Sequence, residues 1–476
     1  MKIIVDESPV GVGKTHRAIE IMTSIRGRYV FATETLDMMN EIGSRIFKSA
    51  LAGSGPIPVI EKVYHGNDRH GSVARQIADL PQTLAPHDHV IALVSHEGMM
   101  SSDFFGFDGW TLIVDEVPSM FTMTKLSTPT DVAFFEENYT LSPVVGVGGD
   151  NWRTVGLTAR GALLPASSIA GCDGHSYLHH FHRRCRDPRR GPVVNLDAWS
   201  DMAESGREWV WWSLFHPDQI SAFGARYFLG SGFTKSLSFK LFNEDRVQWE
   251  TICDMGTRPL RNRQVRIVYY SDRQTSLSYF GSDEGQDDLA KIGEHIASTT
   301  KGEYFWSANG SIKGALEKHL APSSYHRPRQ AGTSLLMNYD TAAMFYAAKP
   351  SREVEQAIRG LGCDESDWVA TNEYEAVLQF VTRTSVRDVT STRDVVLHVF
   401  NSDQARYLKT FFDAQPHITS TLEKVDLELS TQTKKAPGRK PLVLTEAERT
   451  AKMLAQREKR AKAMAEKRKR LREMAN

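Results

Sequence analysis

Ser8-Pro-Val-Gly-Val-Gly-Lys-Thr15 lies between the apolar run Lys2-Ile-Ile-Val-Asp6 and a segment with Ala18, Ile19, Met22 and Ile25 at helical spacing. Strand, glycine-containing turn and amphipathic helix, in that order, form the setting in which a phosphate-binding loop works. Gly11 and Gly13 let the backbone curl so that successive N–H groups face inward at the helix N-terminus. Lys14 then reaches the β- and γ-phosphates of ATP, and the Thr15 hydroxyl ligates Mg²⁺. Pro9, Gly11, Val12, Gly13, Lys14 and Thr15 are the expected nucleotide-binding set. Ser8 stands where the usual pattern has its first glycine, which is tolerable where the backbone φ is negative.

Such a loop needs an acidic partner at the end of a second buried strand. Thr111-Leu-Ile-Val-Asp115-Glu116 provides one: the apolar run ends at Asp115, which would hold Mg²⁺ with Thr15, and Glu116 follows to polarise an attacking water.

Of the 476 residues 41% are hydrophobic and 24% charged, an ordinary globular balance with room for two or three domains. Four scattered cysteines, Cys172, Cys185, Cys253 and Cys363, are too few for a disulfide framework and fit a reducing compartment. The three apolar residues after Lys2 fall short of a signal-peptide core, and no apolar run of about 18 residues marks a membrane span. The expectation is a cytoplasmic protein without a membrane partner. The formal net charge of zero hides an asymmetry. Residues 434–476 hold 15 basic and 5 acidic side chains against 58 of each in the whole chain, so a +10 tail follows a −10 body. A basic tail points to a polyanion, and nucleic acid is the expected partner.

Strand-like runs at Ile3–Val5, Tyr29–Ala32, His89–Leu93, Leu112–Val114 and Arg226–Leu229 alternate with helical or loop segments, the mark of an α/β fold with a parallel sheet. A second alternation runs through Arg266–Tyr270, Glu303–Trp306, a helix near Ile312–His319, Ala342–Ala347, a helix near Arg352–Leu361, and Val395–Phe400. The division this predicts is a first domain over residues 1–240, with an insertion at about 120–220 lacking a core of its own. A second domain over 241–425 and a basic tail over 426–476 follow.

Taken together, these stretches resemble superfamily 2 helicases of the DEAD/DEAH-like kind. Ser8–Thr15 is similar to their motif I, which often opens with a small residue other than glycine, and Asp115-Glu-Val-Pro118 to their D-E-x-x box. Tyr29–Thr35 resembles motif Ia, Val94-Ser-His-Glu-Gly98 the strand end before the box, and Phe228–Leu237 motif III, with Gly156-Leu-Thr-Ala159 as a rival. Phe305–Asn309, Ala331–Ser334 and Gln379-Phe-Val-Thr-Arg383-Thr-Ser-Val-Arg387 resemble motifs IV, V and VI, the last with one residue more than the family pattern. The resemblance implies two tandem RecA-like domains with ATP between them, and Arg383 or Arg387, with Gln379, entering from the second domain. The divergence of the motifs is like that of viral or phage helicases, which would place the protein in a host-cell cytoplasm. It also implies an ATP-dependent helicase or translocase, acting on DNA more than RNA. The alternatives are a packaging-type ATPase that does not separate strands, or a nucleotide-dependent DNA-binding switch.

Two further segments have ligand-like composition. Pro437-Gly-Arg-Lys-Pro441 has the form of a turn or a minor-groove hook, and Lys459–Arg472 has phosphate-neutralising charge density. Cys172-x-x-His175 and His182-x-x-Cys185 have zinc-like spacing, but their separation is tight and the surrounding arginines favour a nucleic-acid-facing loop over Zn²⁺.

Overall fold

The computed structural model describes residues 1–53, 55–64, 72–127, 132–144, 151–170, 178–186, 191–205, 208–242, 247–254, 259–274, 276–300, 302–328 and 334–430. Met1–Leu429 form one unit. The basic tail beyond Ser430, the motif V stretch Ala331–Thr333, and Cys172 and His175 lie outside the described residues.

The first sheet has seven parallel strands in the order Gln248–Ile252, Lys2–Asp6, Ala225–Leu229, Thr111–Asp115, Arg28–Thr33, Val90–Ser95 and Val59–Val63. Its inner strands are apolar at successive positions because helices or loops cover both faces; Val30, Phe31 and Ala32 are fully buried. The loop-bearing strand and the acidic strand are not neighbours. Ala225–Leu229 runs between them, with Asp6 opposite Leu229 and Leu229 opposite Asp115. All three therefore end at the same carboxyl edge, where ligands of open α/β sheets bind.

The second sheet, also parallel, runs Tyr304–Ala308, Thr341–Phe345, Val395–Asn401, Arg263–Ser271 and Ile418–Lys424. Separate apolar clusters cover its two faces, one around Leu397, Phe380 and Phe412, the other around Trp306, Ile292 and Phe345. The α/β class read from the alternating runs is the architecture observed.

Two expectations are corrected. The insertion has a core: five antiparallel strands, Phe121–Ser127, Glu208–Leu214, Val193–Asn195, Trp152–Leu157 and Tyr139–Pro143, pack on Phe135, Phe181, Trp209 and Trp211. Its other side, through Phe121, Val193 and Trp212, reaches Ala357 and Ile358 on the helix Arg352–Gly360 of the second domain. The first sheet also extends beyond residue 240, because Gln248–Ile252 pairs along the whole of Lys2–Asp6. This strand is a largely exposed edge with Gln248, Glu250 and Thr251 among its five residues, so it has no apolar run to announce it. No helix among the described residues is long and apolar enough to cross a membrane.

Candidate active site

The phosphate loop closes on itself. Gly11 and Gly13 have φ of +86° and +97°, the left-handed region open to glycine, and the helix Lys14–Ser24 begins directly after Gly13. The Lys14 Nζ donates to Ser8 O (2.6 Å), Pro9 O (3.2 Å) and Ser231 Oγ (2.7 Å), so the ammonium lies over the curl of the loop. Burial pushes its pKa down from 10.5 to about 8, against the pull of the Asp6, Asp115 and Glu116 carboxylates.

Ser8 does more than avoid a clash. Its hydroxyl donates to Asp6 Oδ1 and accepts from Asp254 N (2.8 Å) and Arg17 Nη2 (3.0 Å), while Arg17 Nη2 also reaches Asp6 Oδ2 (3.0 Å). A glycine there would leave this buried junction without its central oxygen. Sequence alone could not show this, since Asp254 lies on the far side of an edge strand.

Thr15 Oγ1 donates to both Asp115 oxygens at 3.1 Å. Burial, then the neighbouring Glu116 charge, pushes the Asp115 carboxyl up from 3.8 to about 7, against the Thr15 hydrogen bond. A buried carboxylate and a hydroxyl meeting beside a loop of inward N–H groups form a hard-oxygen donor set that fits Mg²⁺. Glu116 has φ of +54°, a strained conformation for a side-chain-bearing residue, fixed in part by its N–H to Leu229 O (3.0 Å).

His96, from the segment Val94–Gly98, is buried with Nε2 donating to Asp115 O (2.8 Å), so it holds the end of the acidic strand. Burial drives its pKa from 6.5 down to about 4, although the Asp115 and Ala32 carbonyls favour the charged form. The unfolded chain therefore binds a proton between these values that the folded chain refuses, and stability falls as pH drops through that window. Comparing urea unfolding of the wild type and His96→Gln at pH 7 and pH 5 should show the wild type losing about 2 kcal/mol more than the variant; equal losses would contradict the buried neutral imidazole.

Of the two segments read as motif III, Phe228–Leu237 is the one that touches the phosphate loop. Ser231 Oγ donates to Ser8 O (2.6 Å) while accepting from Lys14, and Thr234 binds Glu7 through both its N–H and its hydroxyl. The rival Gly156–Ala159 belongs to the insertion, at the end of one of its strands. The same segment reaches the second domain, where Leu237 N donates to Thr371 Oγ1 (2.8 Å). Thr371 sits in a π-helical turn, Ala370–Tyr374, that leads into the helix Glu375–Val381. Single π-turns are rare and collect at functional sites.

That helix leads to the motif VI residues. Gln379 is exposed, its amide donating to Glu375 Oε1 (3.3 Å), and Tyr407 donates to the other oxygen (3.2 Å). Burial pushes Glu375 up to about 7, and the charges of Glu116 and Lys14 act on it across the cleft. Arg383 is 6% exposed, with Nη1 buried and without a hydrogen-bond partner among the described residues. Burial lowers its pKa, while Glu116 and Glu34 in the first domain favour its charge. Arg387 meets the phosphate loop through its backbone. A Cβ placed on Gly11 would lie 2.2 Å from Arg387 O, so glycine is required by φ and by contact with the second domain. Gly11→Ala should therefore lower thermal stability and weaken nucleotide binding by at least tenfold, read by calorimetry with and without ATP; wild-type behaviour would rule out this closed contact.

The loop carrying both arginines is tied from below by a residue that sequence reasoning missed. Arg263, 4% exposed, donates through Nη1 to Ser385 O (2.7 Å) and through Nη2 to Asp388 O and Ser391 O. Its only sequence signal is an arginine at the start of an apolar strand.

The zinc reading fares poorly on its described half. His182 Nε2 donates to Leu164 O (2.9 Å) and Nδ1 accepts from Tyr139 Oη (3.1 Å), which uses both ring nitrogens. Cys185 is buried in the same apolar cluster, with its thiol pKa pushed up. Among the described residues no group of three or more metal-binding side chains assembles.

Two parallel α/β sheets, the first carrying a glycine-containing loop and an acidic strand end at its carboxyl edge, form a tandem RecA-like fold. No family model matches the chain, and no curated protein matches it. Among solved structures, "XPD_APO" is similar with a TM-score of 0.50 at 10% identity, covering 89% of this chain and 97% of that one. "XPD_Helicase" gives 0.49 at 8% identity over 89% and 96%, and "Structure of S. tokodaii Xpd4" gives 0.46 at 9% over 88% and 96%. The first of these establishes the fold.

Proposed function

We propose that this protein is an ATP-dependent nucleic-acid helicase or translocase. One observation carries the reading: Glu116, beside the Lys14, Thr15 and Asp115 cluster, acts electrostatically on a buried Arg383 of the second domain, whose Nη1 has no hydrogen-bond partner among the described residues. A buried guanidinium nitrogen without a hydrogen-bond acceptor is costly, and it fits a site that receives an anion.

ATP and Mg²⁺ suit the residues present. Gly11 and Gly13 shape the anion nest, Lys14 neutralises the phosphates, and Thr15 with Asp115 would hold the metal, which lowers the charge on the phosphoryl group. Lys14 exchanges its contacts with Ser8, Pro9 and Ser231 for the nucleotide. Glu116 accepts the proton of the attacking water, and Arg383 stabilises charge on the group transferred. Because Arg383 belongs to the second domain, turnover requires the domains to be apposed. Repeated apposition can move a bound strand, with DNA favoured over RNA and the basic tail adding salt-sensitive contacts. The boundaries we assign are a first domain through Ile252 with an insertion from Phe121 to Leu214, a second domain from Arg263, and the tail beyond Ser430.

A fluorescent ATP analogue titrated into wild type and Lys14→Ala tests the binding step. Wild type should bind and the variant should lose at least tenfold in affinity; equal binding would place the nucleotide elsewhere.

A further inference from the structure

A polar cavity of about 490 Å³ lies away from the phosphate loop, where the insertion meets the second domain. Its walls are Asn151, Trp152, Asn195 and Asp197 from the insertion and Gln356, Arg359 and Gly360 from the helix Arg352–Gly360. Its floor is firm. Trp152 pairs with Asn195 across adjacent strands and meets Trp212 edge to face at 5.8 Å, and Trp212 packs with Ala357 and Ile358. Asn151 Nδ2 donates to Asp197 Oδ2 (2.9 Å), and Asn195 Oδ1 accepts from Ala198 N (3.2 Å), which leaves the Asn195 Nδ2 as a donor. Arg359 pairs with Glu355 through one Nη at 2.5 Å and keeps its other N–H groups.

We propose that this cavity binds one nucleotide unit of single-stranded nucleic acid. Three carboxamides offer paired donors and acceptors of the kind that match base edges. An indole offers a flat apolar surface for a base, and a guanidinium suits the adjoining phosphate. The volume lies within the range of small-ligand sites. Aliphatic side chains are missing from the lining, so an apolar ligand is a poor fit. The site joins the insertion to the second domain, so a strand held there touches the part of the protein that carries Arg383. This inference rests on the nucleic-acid reading above and adds where a strand is held.

The test measures binding of fluorescein-labelled dT20 and rU20 to the full chain by anisotropy, for wild type, Trp152→Ala, Trp152→Phe and Gln356→Ala/Arg359→Ala. Stacking on one base predicts about tenfold weaker binding for Trp152→Ala, with recovery in Trp152→Phe. The helix double variant leaves the Trp152 seam in place and should weaken binding by a similar factor, with its unfolding transition unchanged. Wild-type affinity in Trp152→Ala and in the double variant would overturn the site while leaving the motor reading intact. Failure of the wild type to bind either oligonucleotide would overturn both.

Discussion

Arg383→Ala is expected to lower ATP turnover by about 10³–10⁵-fold, the range for removing an arginine that stabilises a transferred phosphoryl group. The same change does not destabilise the fold. Arg383 is 6% exposed and its Nη1 has no hydrogen-bond partner among the described residues, so deleting it removes a desolvated charge, not a network of bonds. A structural arginine behaves in the opposite way, and Arg263 illustrates one, with three carbonyls depending on it. Arg383→Lys should not restore turnover, because a compact ammonium cannot reproduce the planar fork. Arg387→Ala should fall at least tenfold short of the Arg383→Ala effect, since the contact Arg387 makes with Gly11 is through its backbone. Steady-state hydrolysis and urea unfolding of the three variants decide the matter. Loss of stability without loss of turnover in Arg383→Ala would refute the assignment.

Glu116→Gln is expected to cut turnover by about 10²–10⁴-fold while leaving nucleotide affinity near wild type. The side chain projects from a left-handed residue at a strand end, with φ of +54°, a strained conformation costing about 1–3 kcal/mol that the surrounding sheet must hold. Such strain is consistent with a carboxylate aimed at a reacting water. The comparison also separates a motor from a binding switch: a switch needs nucleotide and not its hydrolysis. Equal rates in wild type and Glu116→Gln would exclude Glu116 as the base.

The fold was legible where burial made strands apolar on both faces. Ile3–Val5, Tyr29–Ala32, Leu112–Val114 and Val395–Phe400 all stand in the two parallel sheets. Of their four edges only Tyr304–Ala308, buried at four of its five positions, was legible. Val59–Val63, Gln248–Ile252 and Ile418–Lys424 keep one side toward solvent and mix polar with apolar residues, so they have no continuous run. The insertion was opaque for a related reason: its antiparallel strands are short and separated by long connections, and its core is aromatic instead of aliphatic.

At the site, sequence showed residue types at fixed local spacing and missed partners brought together by topology. That Thr15 and Asp115 meet was readable, because loop and strand geometry bring them to one sheet edge. Ser231 against Lys14, Asp254 against Ser8 and Thr371 against Leu237 join residues more than a hundred positions apart. The choice between Arg383 and Arg387 was open in the sequence, and burial now favours Arg383.

The most direct test of a nucleic-acid-dependent ATPase is hydrolysis by the full chain with no polymer, single-stranded DNA, duplex DNA and RNA, with Lys14→Ala alongside. The account predicts turnover stimulated by at least one polymer, single-stranded DNA foremost, and abolished in the variant. Absence of hydrolysis under every condition, or hydrolysis that Lys14→Ala retains, would contradict it.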